Sequence, residues 1–85
     1  MKREEILNKI KSILIQILEL EIEPEDIDDD TLLLDGYIYI DSLSIILIIN
    51  QIEETFDIVC NEEEIDSELL TSINTLTDFV CQKIN

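Results

Sequence analysis

The chain of 85 residues contains no histidine. Without an imidazole there is no Ser-His or Cys-His pair to generate a nucleophile, and the commonest zinc ligand is missing too. Cysteine is scarce: Cys60 and Cys81 stand alone, without CxxC spacing or any cluster that could hold zinc. Their plain reading is small buried or half-buried side chains in a reducing compartment, and the sequence leaves a bridge between them open. The one glycine, Gly36, cannot make a glycine-rich phosphate loop. Basic residues are few as well, five against 21 acidic ones, for a formal charge of -16. Nucleic-acid phosphates and anionic lipid are repelled by such a field, whereas a basic face on another protein is attracted. No long hydrophobic run exists, since Ile45 to Ile49 is the longest and is far too short to cross a bilayer. The opening "MKREEILNKI" has charges on both sides of its first apolar residues and no small-residue cleavage site, so it does not read as a signal peptide. A cytoplasmic monomer without nucleic-acid or membrane partners is expected.

What is present is apolar surface in a helical rhythm. A hydrophobic fraction of 46% is enough for one core, and residues 1–85 form one domain of a size that is marginally stable. Ile6, Leu7, Ile10, Ile13, Leu14, Ile17 and Leu18 recur at helical intervals, with Glu5, Lys9, Lys11, Gln16 and Glu19 mostly opposite. That spacing predicts an amphipathic helix over residues 3–20, which Pro24 then prevents from continuing. A second helix is expected from Asp41 or Ser42 to about Phe56, burying Ile45, Ile46, Ile49, Ile52 and Phe56. Asn61 followed by Glu64 is a capping-box pattern suited to a short helix. Ser72 caps a last helix with a stripe of Ile73, Leu76, Phe79, Val80 and Ile84. No strand pattern bounded by turn signals appears. The expected fold is therefore all-α, a small four-helix bundle of three main helices and one short one, with a long loop between helices one and two.

That loop, "EIEPEDIDDDTLLLDGY", carries acids at Asp26, Asp28 and Asp30 with the spacing of the first calcium-loop ligands. The sixth position would be Thr31 instead of glycine and the twelfth Tyr37 instead of glutamate, so the calcium reading fails and no metal site is expected. Ile27, Leu32, Leu33 and Leu34 are expected to pin the loop to the core while its acids stay solvated. Catalysis by the chain itself is not expected: the lysines lie near the two ends of the chain, and paired carboxylates are uninformative at this acidity.

Ser42 remains. It reads either as an N-cap of helix two or as a hydroxyl displayed at a loop-helix junction for another enzyme to modify. The junction suits a phosphoester, because first-turn amides point outward and the helix dipole favours an anion there.

Around "DSL" the sequence resembles the acyl carrier protein family, the phosphopantetheine-bearing carrier domains. The likeness runs through "PEDI", "DDDTLLLDG", "DSLSIILIINQIEETFDI" and "TSINTLTDFV", and so covers nearly the whole chain. It implies 4'-phosphopantetheine joined covalently to Ser42, flanked by Asp41 and Leu43. It also implies a carrier of acyl or aminoacyl groups as thioesters, not an enzyme. Its partners would be a phosphopantetheinyl transferase, an acyl- or aminoacyl-loading ligase and downstream synthase enzymes with basic docking surfaces. Two features depart from the family. Gly36 lies five positions before Asp41, further than is usual, and Ser44 and Leu47 stand on helix two where fatty-acid-synthesis carriers show acids. Leu43, Ser44 and Leu47 are thus candidate partner-binding residues. They tilt the reading toward a stand-alone carrier in a specialised polyketide, non-ribosomal peptide or related pathway, over housekeeping fatty-acid synthesis. The competing reading is an acidic helical protein-protein interaction module without a prosthetic group.

Overall fold

A computed structural model of the chain describes residues 2–30, 41–65 and 68–84. Helix α1 spans Arg3–Leu18, α2 Ser42–Phe56 and α3 Ile73–Ile84. Single 3-10 turns at Pro24–Asp26 and Glu62–Glu64 lie between them, and no strand occurs among the described residues. The all-α expectation of three main helices and a short fourth element holds, the short element being the turn at Glu62–Glu64. Helix α1 packs along both α2 and α3. Ile6, Ile10 and Leu14 of α1 meet Ile48 and Ile52 of α2 and Ile73, Leu76 and Val80 of α3 in one buried cluster. The one hydroxyl inside it is harmless, since Thr77 Oγ1 donates to Ile73 O at 2.7 Å. No described helix is long and apolar enough to cross a membrane.

Helix α1 ends two residues before the expected limit, and Pro24 is not what stops it. Glu19 turns into the left-handed region at φ 53, ψ 46, so that the amides of Glu19 and Leu20 both donate to Ile15 O. Helix α2 stops the same way at Asp57, φ 55, with Ile58 N donating to Glu53 O at 3.1 Å. Each stop is followed by a partly buried apolar residue, Leu20 or Ile58, packed on the core. This is the αL helix stop built without glycine. Pro24 instead opens its own 3-10 turn, closed by reciprocal bonds between Glu23 and Asp26.

Two further expectations are corrected. Ile46 is 57% exposed, and its place in the core is taken by Ile48 at 2%. At about 100° per residue, Ile45, Ile48, Ile49, Ile52 and Phe56 form one stripe that Ile46 misses. Lys11 is not on the polar face but 5% exposed, with its Nζ 2.6 Å from Asp29 Oδ1. The loop acids are accordingly occupied. Asp29 O accepts from the amide of Asn74, and Asp30 Oδ1 accepts from Asn74 Nδ2 at 2.6 Å. Asp28 Oδ1 caps the amide of Asp30. Asn74 also accepts from Arg3, which pairs with Asp78, so one polar chain ties the start of α1, the loop and α3 together. Ile27 is buried as expected, whereas Leu32, Leu33, Leu34 and Gly36 lie outside the described residues.

Candidate functional site at the start of helix α2

The N-cap of α2 is Asp41, not Ser42. Asp41 is extended, at φ -90, ψ 175, and its Oδ1 accepts from the Ser44 amide at 2.8 Å. Its main-chain oxygen accepts from Ile45 N at 3.0 Å, closing the first turn. The hydrogen bond from the Ser44 amide, helped by the Ser44 hydroxyl, holds the Asp41 carboxyl below its ordinary range. Asp41 therefore stays charged where the helix dipole favours an anion.

This division of labour bears on Ser42. Because its neighbour does the capping, Ser42 becomes the first residue of the helix, and it is exposed. No hydrogen bond engages its hydroxyl among the described residues, which leaves Oγ accessible at the amide-rich end of α2. A phosphoester fits this position: its oxygens would lie beside first-turn amides that no carbonyl satisfies, without displacing the Asp41 cap.

The rest of the site is apolar. Leu43 is 66% exposed and Leu47 47%, and together with Ile46 they form one outward face of α2. Ser44, expected to be exposed, is half-buried by the turn that caps the helix. No charged residue occurs from Ser42 through Ile52, and the first acids after the site are Glu53 and Glu54. Beside Ile46 lies a notch of about 160 Å³ lined by Ile45, Ile49, Asn50, Glu53, Cys60 and Ile65 among others.

The floor of that notch is held by polar bonds that the sequence only partly signals. Cys60 N donates to Glu53 Oε2 at 2.9 Å. Asn61 and Glu64 make the expected capping box, with Asn61 N donating to Glu64 Oε1 at 3.0 Å. Glu64 Oε1 also receives Lys83 Nζ at 2.7 Å, and Lys83 lies 5.5 Å from the Phe79 ring centre. The Lys83 bond first, and the Asn61 amide second, hold the Glu64 carboxyl below its ordinary range. Cys60 and Cys81 are both free thiols. Burial, reinforced by the nearby Glu53 carboxylate, pushes the Cys60 thiol up, which suppresses its reactive thiolate.

Comparison with known proteins agrees with this geometry. The family model for the phosphopantetheine attachment site matches residues 8–80. An acyl carrier protein of Cyanophora paradoxa is 38% identical over 94% of this chain and 78% of its own length. A solution structure of a holo acyl carrier protein from Nitrosomonas europaea superposes with a TM-score of 0.82 at 26% identity. That superposition covers 92% of this chain and 94% of the other. Such proteins are carriers, not enzymes, and their prosthetic group is 4'-phosphopantetheine. The exposed serine, the acidic cap before it and the apolar helix behind it thus find their context: the chain belongs to the acyl carrier protein family.

Proposed function

We propose that Ser42 is the residue to which a phosphopantetheinyl transferase joins the 4'-phosphopantetheine arm. The observation that carries this reading is the exposed Ser42 at the first position of α2, its hydroxyl without a hydrogen bond among the described residues, while Asp41 makes the cap. When bound, the arm supplies a thiol on which acyl or aminoacyl groups ride as thioesters. The chain's own residues do the rest. Asp41 fixes the first turn, the α2 amides face the phosphate, and the buried stripe of α2 holds the junction rigid against α1. Tethering then turns encounters between a bound group and its enzymes into events at high effective concentration.

Leu43, Ser44 and Leu47 are proposed as the partner-facing residues, Ser44 through its main-chain bond to Asp41. The partners proposed are the transferase, an acyl- or aminoacyl-loading ligase and synthase enzymes with basic surfaces. The apolar, acid-free start of α2 favours a stand-alone carrier of a specialised polyketide, non-ribosomal peptide or related pathway over one serving housekeeping fatty-acid synthesis. Two free cysteines accord with a reducing compartment such as the cytoplasm.

The test is to incubate the apo protein with coenzyme A, Mg²⁺ and a promiscuous phosphopantetheinyl transferase, and to take intact masses of wild type and Ser42→Ala. The expected result is one phosphopantetheinyl addition to wild type and none to the variant. No addition with several transferases would favour the bare interaction module. The mass of the natively loaded form would separate a specialised pathway from fatty-acid synthesis.

A further inference from the structure

Charge is unevenly divided along this chain. Residues 2–18 hold four of the five cations and two of the 21 acids, a net charge of +2, so the remaining residues carry -18. The two acids, Glu4 and Glu5, stand in the first turn of α1, where the helix dipole favours them. Arg3 and Lys11 are spent on Asp78 and Asp29. Lys9 is exposed and takes part in no ion pair among the described residues. It borders a groove of about 300 Å³ between α1 and α2, lined by Asn8, Lys9, Ser12 and Gln16 from one helix and by Gln51 and Thr55 from the other. The apolar part of this lining is Ile13, which is 5% exposed, and the lining contains no carboxylate among the described residues. Ser12 Oγ donates to Asn8 O at 3.0 Å and Gln51 Nε2 to Thr55 Oγ1 at 3.3 Å, which leaves the threonine hydroxyl hydrogen unspent. The side-chain amides of Asn8 and Gln16 make no hydrogen bond among the described residues. In a chain this acidic, the groove is thus a set of unspent donors around one cation.

We propose that the groove between α1 and α2 seats an acidic peptide segment of a partner protein, with one carboxylate paired to Lys9 and hydrogen-bonded by the side-chain amides of Asn8 and Gln16. The choice of occupant follows from charge. A cationic segment would meet a lysine here and no carboxylate, and a second copy of the chain would bring -16 against -16. At physiological ionic strength a charge is felt over about 8 Å, so a segment in the groove responds to the lining more than to acids beyond that range. Polar groups over little apolar surface give low affinity, and specificity then comes from the pairing. The inference goes beyond the carrier reading, since it concerns α1 and holds whether or not Ser42 bears an arm. It also gives the molecule a surface of two signs. A partner that presents a cationic surface beside an acidic segment is matched in one orientation, and the reversed orientation sets like charges together.

The test follows backbone amide chemical shifts of the whole chain at about 0.15 M salt. The probes are a blocked peptide of alternating glutamate and alanine and its counterpart with glutamine in place of glutamate. Amides around residues 8–16 and 51–55 should shift together as the glutamate peptide is added, with a Kd on the order of 1 mM. The glutamine peptide should bind more weakly by about fourfold, near the upper end of what one exposed ion pair contributes. Lys9→Gln should weaken the glutamate peptide by a similar factor, and Lys9→Glu should abolish its binding. Lys2→Gln removes the same charge at a residue that does not line the groove, and it should leave Kd unchanged. Both lysines are exposed, so melting should move by less than about 4 °C in every variant, and a change in Kd then reports on the contact and not on folding. No shift at the groove with millimolar peptide overturns the proposal, as does a Lys9→Gln protein with the wild-type Kd. Equal binding of the two peptides, or equal weakening by Lys2→Gln and Lys9→Gln, overturns it as well, because the groove would then add nothing to the overall charge.

Discussion

Truncating Ile48 to alanine removes an aliphatic side chain that is 2% exposed and belongs to the buried cluster in which α2 packs on α1. Such a deletion loses transfer free energy and leaves a void, together about 2–5 kcal/mol. Ile46 lies only two residues away in the same helix, has the same chemistry and is 57% exposed. Its truncation forfeits little burial and gains slightly in helix propensity, so its effect should fall within about 0.5 kcal/mol of zero. For a domain of this length each kcal/mol moves the melting midpoint by about 4–8 °C. Ile48→Ala should therefore melt at least 8 °C or so below wild type, while Ile46→Ala stays within a few degrees. Urea titration followed by far-UV circular dichroism at fixed moderate salt measures both, and equal slopes would confirm that only stability has changed. Equal destabilisation by the two substitutions, or a larger loss from Ile46→Ala, would mean that α2 is rotated relative to the core and would refute the placement of the exposed face.

Other consequences follow from the helix stops, the ion pairs and the net charge. Glu19 sits in the left-handed region at φ 53, so Glu19→Gly should stabilise by about 0.5–1 kcal/mol in urea titrations. Asp57→Gly should gain less, since Asp tolerates that region better than Glu; a loss at position 19 would contradict the αL stop. Glu64 has its carboxyl depressed, so its contribution is present above the ordinary value of 4.5 and is lost as pH falls through the lower folded value. The stability difference between wild type and Glu64→Gln should accordingly be constant near neutral pH and shrink on acidification below that range. A difference that grew with acid would refute the Lys83 pairing. Self-repulsion at a charge of -16 predicts a melting temperature that rises with NaCl and with Mg²⁺, and a salt-independent midpoint would contradict it.

How legible the molecule was in its sequence depended on how local each determinant is. The Ser72 cap was readable because serine and the amide it caps, Thr75 N at 3.2 Å, are three residues apart. The same holds for Asn61 with Glu64. Buried stripes of α1 and α3 emerged from period alone. Helix α2 was harder, because isoleucines and leucines occupy almost every position from Leu43 to Ile49, and an unbroken run does not say which side faces inward. Only packing against α1 decides for Ile48 over Ile46. A lysine ordinarily lies outside, and the partner that holds Lys11 inward, Asp29, is 18 residues away. The Asn74 bridge between Asp30 and Arg3 spans still longer separations and carries no sequence signal. At the site itself, Asp41 and Ser42 were both readable, but which of them caps depended on the first-turn geometry. That outcome matters for chemistry, since it is the cap at Asp41 that leaves the Ser42 hydroxyl unspent.

The central claim is that this hydroxyl, and not another serine, bears the arm. The chain also has Ser12, Ser44, Ser67 and Ser72, and Ser44 is only two residues away, so an intact mass alone does not locate the group. Fragmentation of the peptide around residues 41–44 from the modified protein, by a method that retains the phosphoester, resolves it. The phosphopantetheinyl mass is predicted on Ser42 alone; finding it on Ser44, or on a serine outside α2, would contradict the account.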